Sequence, residues 1–175
     1  DRNSIREYCT INRGTVQDEG VTRIGSDNWI MAYVHIAHDC VVGNGTIFAN
    51  NASIAGHVVI DDYVILGGFA AVHQFCRVGI HAFTGLFTYT TKDIPAYVVA
   101  SGRPAGPRGI NTEGLKRHGF TAQAIRNLRD AYRLVYRQGL RLEEAIAELD
   151  GRSAEQPELL PFLESLRRSE RGVIR

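Results

Sequence analysis

The sequence predicts a β-solenoid plus α: a left-handed parallel β-helix of hexapeptide repeats with a C-terminal helical domain. Three observations predict it. Large aliphatic residues return at every sixth position, from Ile24, Ile30, Ile36 and Val42 through Phe48, Ile54, Ile60 and Leu66 to Val72 and Val78, and the run ends at Thr84. Neither a helix, with period 3.6, nor an alternating strand, with period 2, recurs this way. Two positions before each member stands a smaller or β-branched residue, among them Val34, Cys40, Ala52, Val58, Ala70, Cys76 and Ala82, so two registers share one interior. Beyond Gly109 the rhythm becomes helical. In the left-handed member of this class three hexads close one coil of about eighteen residues. Periodicity gives the coil, and the hand comes from the fold class.

The elements follow in order. Ile5 and Ile11 are six apart, and then the phase is lost: Ile24 comes thirteen residues later, one more than two hexads. Gly14, Asp18, Glu19 and Gly20 in this stretch are turn formers, so a coil carrying a small extruded insertion is expected. Such insertions serve either as rims of sites or as ordinary surface turns. In the regular body, turn formers separate the short strands, notably Gly43-Asn44-Gly45, Asn50-Asn51, Asp61-Asp62 and Gly67-Gly68. From Thr91 to Gly109 three prolines and three glycines mark a crossing segment. Residues 1–109 are therefore assigned to the β-helix and its crossing segment, and 110–175 to a helical domain.

In the second part a short helix is expected around Glu113 to Arg117. Thr121 caps a helix running to about Gln138, with Ile125, Leu128, Tyr132 and Val135 on one stripe and Gly139 as its stop. Leu142, Ala145, Ile146 and Leu149 form a second stripe, and Leu159, Phe162, Leu163 and Leu166 a third.

Composition excludes several classes. The 20 Lys and Arg against 19 Asp and Glu leave a net charge of +1, and the bases are interleaved with acids. No recognition-helix, zinc-finger or aromatic RNA-binding motif accompanies them, so no nucleic-acid partner is expected. Arg126, Arg129, Arg133 and Arg137 read as a solvated helix face, with a phosphate-binding edge as the alternative. No apolar stretch is long enough for a transmembrane segment, and there is no secretory pattern at the start, which points to a cytoplasmic location. Cys40 and Cys76 lie two coils apart on one inward column, about 9.6 Å at the usual strand spacing and beyond disulfide reach. They read as core residues.

The coil period also gathers polar residues. One coil above His38 is Gly56, beside His57; two coils above is Gln74, beside His73. Aliphatic and small residues already fill the inward columns, so these histidines face outward, into a cleft or onto an interface. An imidazole can take a proton from a hydroxyl near neutral pH. Asp39 can orient it, and backbone at Gly56 can approach a reacting carbonyl closely. The same histidines leave open a zinc-dependent hydratase or hydrolase, with three imidazoles and an open position for water. No specific metal motif appears, so no metal is expected.

Four motifs carry a resemblance over nearly the whole chain: Asn12-Arg13-Gly14-Thr15-Val16-Gln17, His35-Ile36-Ala37-His38-Asp39-Cys40, Ala71-Val72-His73-Gln74-Phe75-Cys76 and Asn111-Thr112-Glu113-Gly114-Leu115-Lys116-Arg117. The chain resembles the acyl-carrier-protein-dependent UDP-N-acetylglucosamine O-acyltransferase family of lipid A synthesis. The resemblance implies a homotrimer with clefts between subunits, and transfer of a 3-hydroxyacyl group from acyl carrier protein to the 3-hydroxyl of UDP-N-acetylglucosamine or a related UDP-amino sugar. It implies His38 as general base, Asp39 as its assistant and the Gly56 N–H as oxyanion donor. By the same resemblance His35, His57, His73 and Gln74 surround sugar, phosphate or donor groups, and Asn111, Glu113 and Arg117 lie at the nucleotide end. Read as residues alone, Asn111 is a helix cap and the other two are surface charges.

No tightly bound cofactor is implied, since the phosphopantetheine arrives on the carrier protein. Phe83 and Leu86 fall in the region that shapes the acyl groove, where glycine admits longer chains in some members. Leu86 therefore implies a shorter or displaced acyl tail. His118 stands where the family commonly has a further Arg. Family members carry coils before the position of Asp1, so the chain is expected to be a fragment. The alternative of a non-catalytic trimeric scaffold that binds nucleotide sugar or carrier protein stays open.

Overall fold

The computed structural model describes residues 1–17 and 19–175. Two-residue strands stack coil on coil into three parallel faces. Face A stacks Ser4–Ile5, Trp29–Ile30, Ile47–Phe48, Ile65–Leu66, Phe83–Thr84 and Val98–Ser101. Face B stacks Thr10–Ile11, His35–Ile36, Ser53–Ile54, Ala71–Val72 and Tyr89–Thr90, and face C stacks Arg23–Ile24, Val41–Val42, Val59–Ile60 and Arg77–Val78. The second residue of each pair points inward: Ile30, Ile36, Phe48, Ile54 and Leu66 are fully buried. The smaller register is buried with them, including two polar members. There Asn28 Oδ1 accepts from Thr46 N–H at 2.8 Å and from its hydroxyl at 2.7 Å, while Asn28 Nδ2 donates to the Gly43 carbonyl at 3.0 Å. A buried amide is tolerated because its bonds are made.

The coil is turned by one left-handed backbone position in each hexad. Asp27, Tyr33, Asp39, Asn51, His57, Tyr63, Phe69, Phe75, His81 and Phe87 all have φ between 57° and 63° except Phe87 at 56°, with Gly45 completing the series. That conformation costs a side-chain-bearing residue roughly 1–2 kcal/mol. Inter-coil bonds offset it, such as Phe69 N–H to the Asn50 carbonyl at 3.0 Å. Rings at these corners also stack, Phe69 on Phe87 at 4.8 Å and Tyr63 on His81 at 4.8 Å between centroids.

Two expectations are corrected. The rhythm does not end at Thr84: Thr90, Ile94 and Ala100 continue the buried column, and Ile94 bridges Val78 in parallel. Threonine disguised the repeat; the Thr84 hydroxyl accepts from Gly67 N–H at 3.0 Å and that of Thr90 donates to the Lys92 carbonyl at 2.6 Å. The insertion is also larger than one residue. Thr10 bonds His35 twenty-five positions on, whereas regular coils repeat at eighteen, so seven extra residues leave the coil between Ile11 and Arg23. Asp18, part of the expected turn, lies outside the described residues.

Val98–Ser101 pairs antiparallel with Gly106–Ile110, which leads into the helices. Helix α1 (Thr112–Arg117) is capped by Asn111, whose side chain accepts from Gly114 N–H. Helix α2 (Ala122–Arg137) is capped by Thr121 and buries the expected stripe; Gly139 follows it with φ of 72°. Helix α3 (Leu142–Ser153) buries Ala145 and Leu149, with Leu142 and Ile146 half-buried. A 3₁₀ turn (Pro157–Leu159) leads into α4 (Leu160–Arg167). The buried Ser165 hydroxyl accepts from Ala96 N–H at 3.0 Å, and Arg168 pairs with Asp61, so α4 is fastened to the coils. No described helix is long and apolar enough to cross a membrane.

Candidate active site

The corner between faces B and C carries the polar cluster. His57 N–H donates to the His38 carbonyl and Phe75 N–H to the Gly56 carbonyl, both at 3.1 Å. This ladder stacks His38, Gly56 and Gln74 one per coil, with Asp39, His57 and Phe75 beside them. His38 is half-exposed, and the Asp39 side chain beneath it is 2% exposed. His38 Nδ1 lies 2.9 Å from Asp39 Oδ2. His57 Nε2 is 3.9 Å from the same oxygen, and its ring stacks on Phe75 at 4.5 Å.

Desolvation pushes the Asp39 carboxyl up, but hydrogen bonds from His38 and Thr15 and the charge of His57 outweigh it and hold the group below its ordinary value. An ionised carboxylate only accepts, so the ring nitrogen facing it carries the proton. That leaves Nε2 of His38 with its lone pair, the form a general base requires.

The other residues expected at the site divide. His35 is exposed on face B and bonded to the Thr10 hydroxyl at 2.7 Å, and His73 and Gln74 stand two coils from His38 along the same side. Phe83 is half-buried on face A, and Leu86 is exposed at the turn between faces A and B. Asn111, Glu113 and Arg117 sit by the third corner, between faces C and A, where Asn111 Nδ2 donates to the His81 carbonyl at 3.0 Å. Glu113 pairs with Lys116 at 2.8 Å, and Arg117 is exposed. One chain therefore unites the residues around His38 and leaves those expected at the acyl groove and the nucleotide end on its other two corners.

Sequence reasoning missed Thr15 and Thr22, which hold Asp39 from the insertion, and Phe75, which backs His57. Thr15 and Phe75 stand in two of the quoted motifs without an assigned role, and the local signals were the lost phase before Ile24 and a ring at the sixfold position. Cys40 and Cys76 are buried and unbridged, and burial pushes both thiols up to about 11, as core residues rather than nucleophiles.

Donor atoms of His38, Asp39 and His57 lie within 4.8 Å of one another. This is two imidazoles and a carboxylate, not the three imidazoles of the zinc reading. Asp39 Oδ2 is already taken by His38 and by the Thr15 hydroxyl, so the donor set fits a hydrogen-bonded dyad better than a metal.

Coils of this kind are those of the hexapeptide-repeat transferases, and the family model described as bacterial transferase hexapeptide (six repeats) matches residues 22–56. A second, described as UDP N-acetylglucosamine O-acyltransferase, domain 2, matches residues 93–174. The acyl-[acyl-carrier-protein]–UDP-N-acetylglucosamine O-acyltransferase of Thiobacillus denitrificans is 60% identical over 175 residues, covering all of this chain and 68% of that relative. Among solved structures, the UDP-N-acetylglucosamine O-acyltransferase of Moraxella catarrhalis superposes with a TM-score of 0.98 at 48% identity, and LpxA of Acinetobacter baumannii with 0.97 at 46%. Each comparison covers all of this chain and 68% of the other. The chain belongs to the acyl-[acyl-carrier-protein]–UDP-N-acetylglucosamine O-acyltransferase family.

Proposed function

We propose that this chain transfers a 3-hydroxyacyl group from acyl carrier protein to the 3-hydroxyl of UDP-N-acetylglucosamine, the entry to lipid A synthesis, with His38 as general base. The observation that carries the base assignment is the 2.9 Å contact between His38 Nδ1 and the buried Asp39 carboxylate. Nε2 takes the hydroxyl proton as the sugar oxygen attacks the thioester carbonyl. The Gly56 N–H stabilises the oxyanion as it forms. Collapse breaks the carbon–sulfur bond, and the departing phosphopantetheine thiolate takes the proton back from the imidazolium. Acid–base chemistry suffices, so no resident cofactor is required.

His35, His57, His73 and Gln74 position sugar and donor around this corner, and Asn111, Glu113 and Arg117 hold the nucleotide, the guanidinium offering a planar pair of donors to phosphate. Phe83 and Leu86 shape the acyl groove. A homotrimer accounts for their scatter over three corners: packing around a threefold axis sets one chain's B–C corner against a neighbour's other surfaces, and exposed Trp29 with half-buried Ile47 on face A supplies apolar contact. A carrier-protein donor supports a cytoplasmic location for the reaction.

The test is acyl transfer from a panel of acyl-carrier-protein thioesters to UDP-N-acetylglucosamine, with products identified by mass, for the protein and its His38→Ala variant. Loss of roughly 10³-fold in kcat with sugar binding retained is expected for a general base. Unchanged transfer by a folded H38A protein removes the base assignment. Carrier and nucleotide binding without any turnover by the unsubstituted protein turns the reading to a scaffold.

A further inference from the structure

The seven-residue insertion closes over Asp39, and its contacts point to a residue that the reaction scheme does not yet use. Gly14 packs so tightly there that a β-carbon on it would lie 2.5 Å from Asp39 Oδ1 and 2.0 Å from Val21 N. With no side chain in the way, the next residue reaches the carboxylate. Thr15 N–H donates to Oδ1 at 2.9 Å and to Oδ2 at 3.1 Å, and the Thr15 hydroxyl donates to Oδ2 at 2.8 Å. From the other end of the loop, the Thr22 hydroxyl accepts from Asp39 N–H at 3.0 Å and donates to the Asn12 carbonyl at 2.6 Å. The loop thus fixes both the backbone and the carboxylate of Asp39.

We propose that Thr15 is a positioning residue for the transfer reaction, its hydroxyl holding the Asp39 carboxylate in the orientation that keeps the proton on Nδ1 of His38 and the lone pair on Nε2. Oδ2 is the oxygen His38 contacts, and the Thr15 hydroxyl binds that same oxygen. Without it the Thr15 N–H still reaches both oxygens, but Oδ2 loses its shortest Thr15 contact, so the carboxylate's last torsion is less restrained and the imidazole's partner less firmly fixed. His57, at 3.9 Å, is too far for a hydrogen bond to replace it. The inference rests on His38 being the base.

The experiment compares Thr15→Val, Thr15→Ala and Thr15→Ser with H38A in the same transfer assay across pH, with thermal melting of each protein. T15V keeps the shape and the backbone donor while deleting the hydroxyl. The expected result is a loss of about tenfold in kcat for T15V and T15A, the equivalent of one charge-assisted hydrogen bond at the transition state. KM for UDP-N-acetylglucosamine stays unchanged, and T15S restores most of the rate. A purely structural role lowers the melting temperature and raises KM together with the fall in kcat, and that outcome overturns the inference. So does wild-type kcat in T15A, or a loss in T15S equal to that in T15V. An active H38A protein instead removes the base assignment itself, so the two failures are distinguishable.

Discussion

Gly56 lies against the ring of His38: a β-carbon built on it would stand 2.6 Å from Cε1 and 2.8 Å from Nε2. The backbone there is regular coil, so the glycine serves proximity rather than a special φ. Gly56→Ala is expected to push the imidazole off its contact with Asp39. A misplacement of about 1 Å at a reacting group can cost ~10²-fold, and a loss of that size in kcat is expected. The displaced ring is half-exposed, so the melting temperature should change little. Retained kcat in a folded G56A protein contradicts the assignment of catalysis to this corner.

Asp39→Asn tests the tautomer. The carboxylate accepts from Thr15 and from His38 Nδ1; an asparagine offers one acceptor oxygen and a donor NH₂. With the NH₂ facing His38, Nδ1 becomes the acceptor and Nε2 carries the proton, which disables the base. The expected loss in kcat is roughly 10³-fold with the sugar KM nearly unchanged. Because the Asp39 carboxyl is held below its ordinary value, its folded-state contribution is present above the usual carboxylate range and lost only as pH falls through that lowered value.

His81 makes stability depend on pH. It stacks between Tyr63 and Tyr97, meets Phe120 edge-on, and has His118 at 4.7 Å between centroids. Burial first, and then the charge of His118, push its pKa down to about 4, with Asp62 opposing. The unfolded chain binds this proton near pH 6.5 and the folded protein only near 4. Stability is thus full above 6.5 and declines as pH falls toward 4, by up to ~3 kcal/mol. Denaturant midpoints measured from pH 7.5 to 4.5 should show this decline, and His81→Phe, which keeps the stacked ring, should flatten it. An equal decline in H81F assigns the dependence to other groups.

The coil was legible because its period is set by inward side chains alone: Ile30, Ile36 and Phe48 repeat in sequence exactly as they stack. Thr84 and Thr90 were not recognised as one column, since a buried hydroxyl satisfied by nearby backbone looks polar in sequence. The helical stripes and the Thr121 cap are local and were read from spacing. The bond from Asn111 to His81 spans thirty residues and left no local trace. Thr15 was equally hidden, because its contact with Asp39 exists only once a coil and a loop of irregular length have closed. What the period could do was place His38, Gly56, His57, His73 and Gln74 along one side. It could not show which of them touch.

Leu86 tests the acyl groove. It is 66% exposed at the turn after Phe83, with its Cδ1 3.2 Å from where a β-carbon on Gly68 would stand. Phe69 and Phe87 stack beside this turn, and the Arg103 guanidinium lies 4.9 Å from the centre of the Phe87 ring. The surface around Leu86 is thus apolar and partly fixed, so the leucine side chain, rather than the backbone, sets how much length is free. Each methylene of an acyl tail that stays buried contributes about 0.8 kcal/mol, and one that meets a filled groove loses that and adds strain. Leu86→Gly should therefore move the preferred donor to a longer acyl chain, with kcat/KM for longer thioesters rising about tenfold or more relative to the short ones, two buried methylenes being enough for that ratio. Competition between acyl-carrier-protein thioesters of graded length, read by product mass, measures the shift. An unchanged length preference in an active L86G protein would assign the end of the groove to other residues, Phe83 first among them.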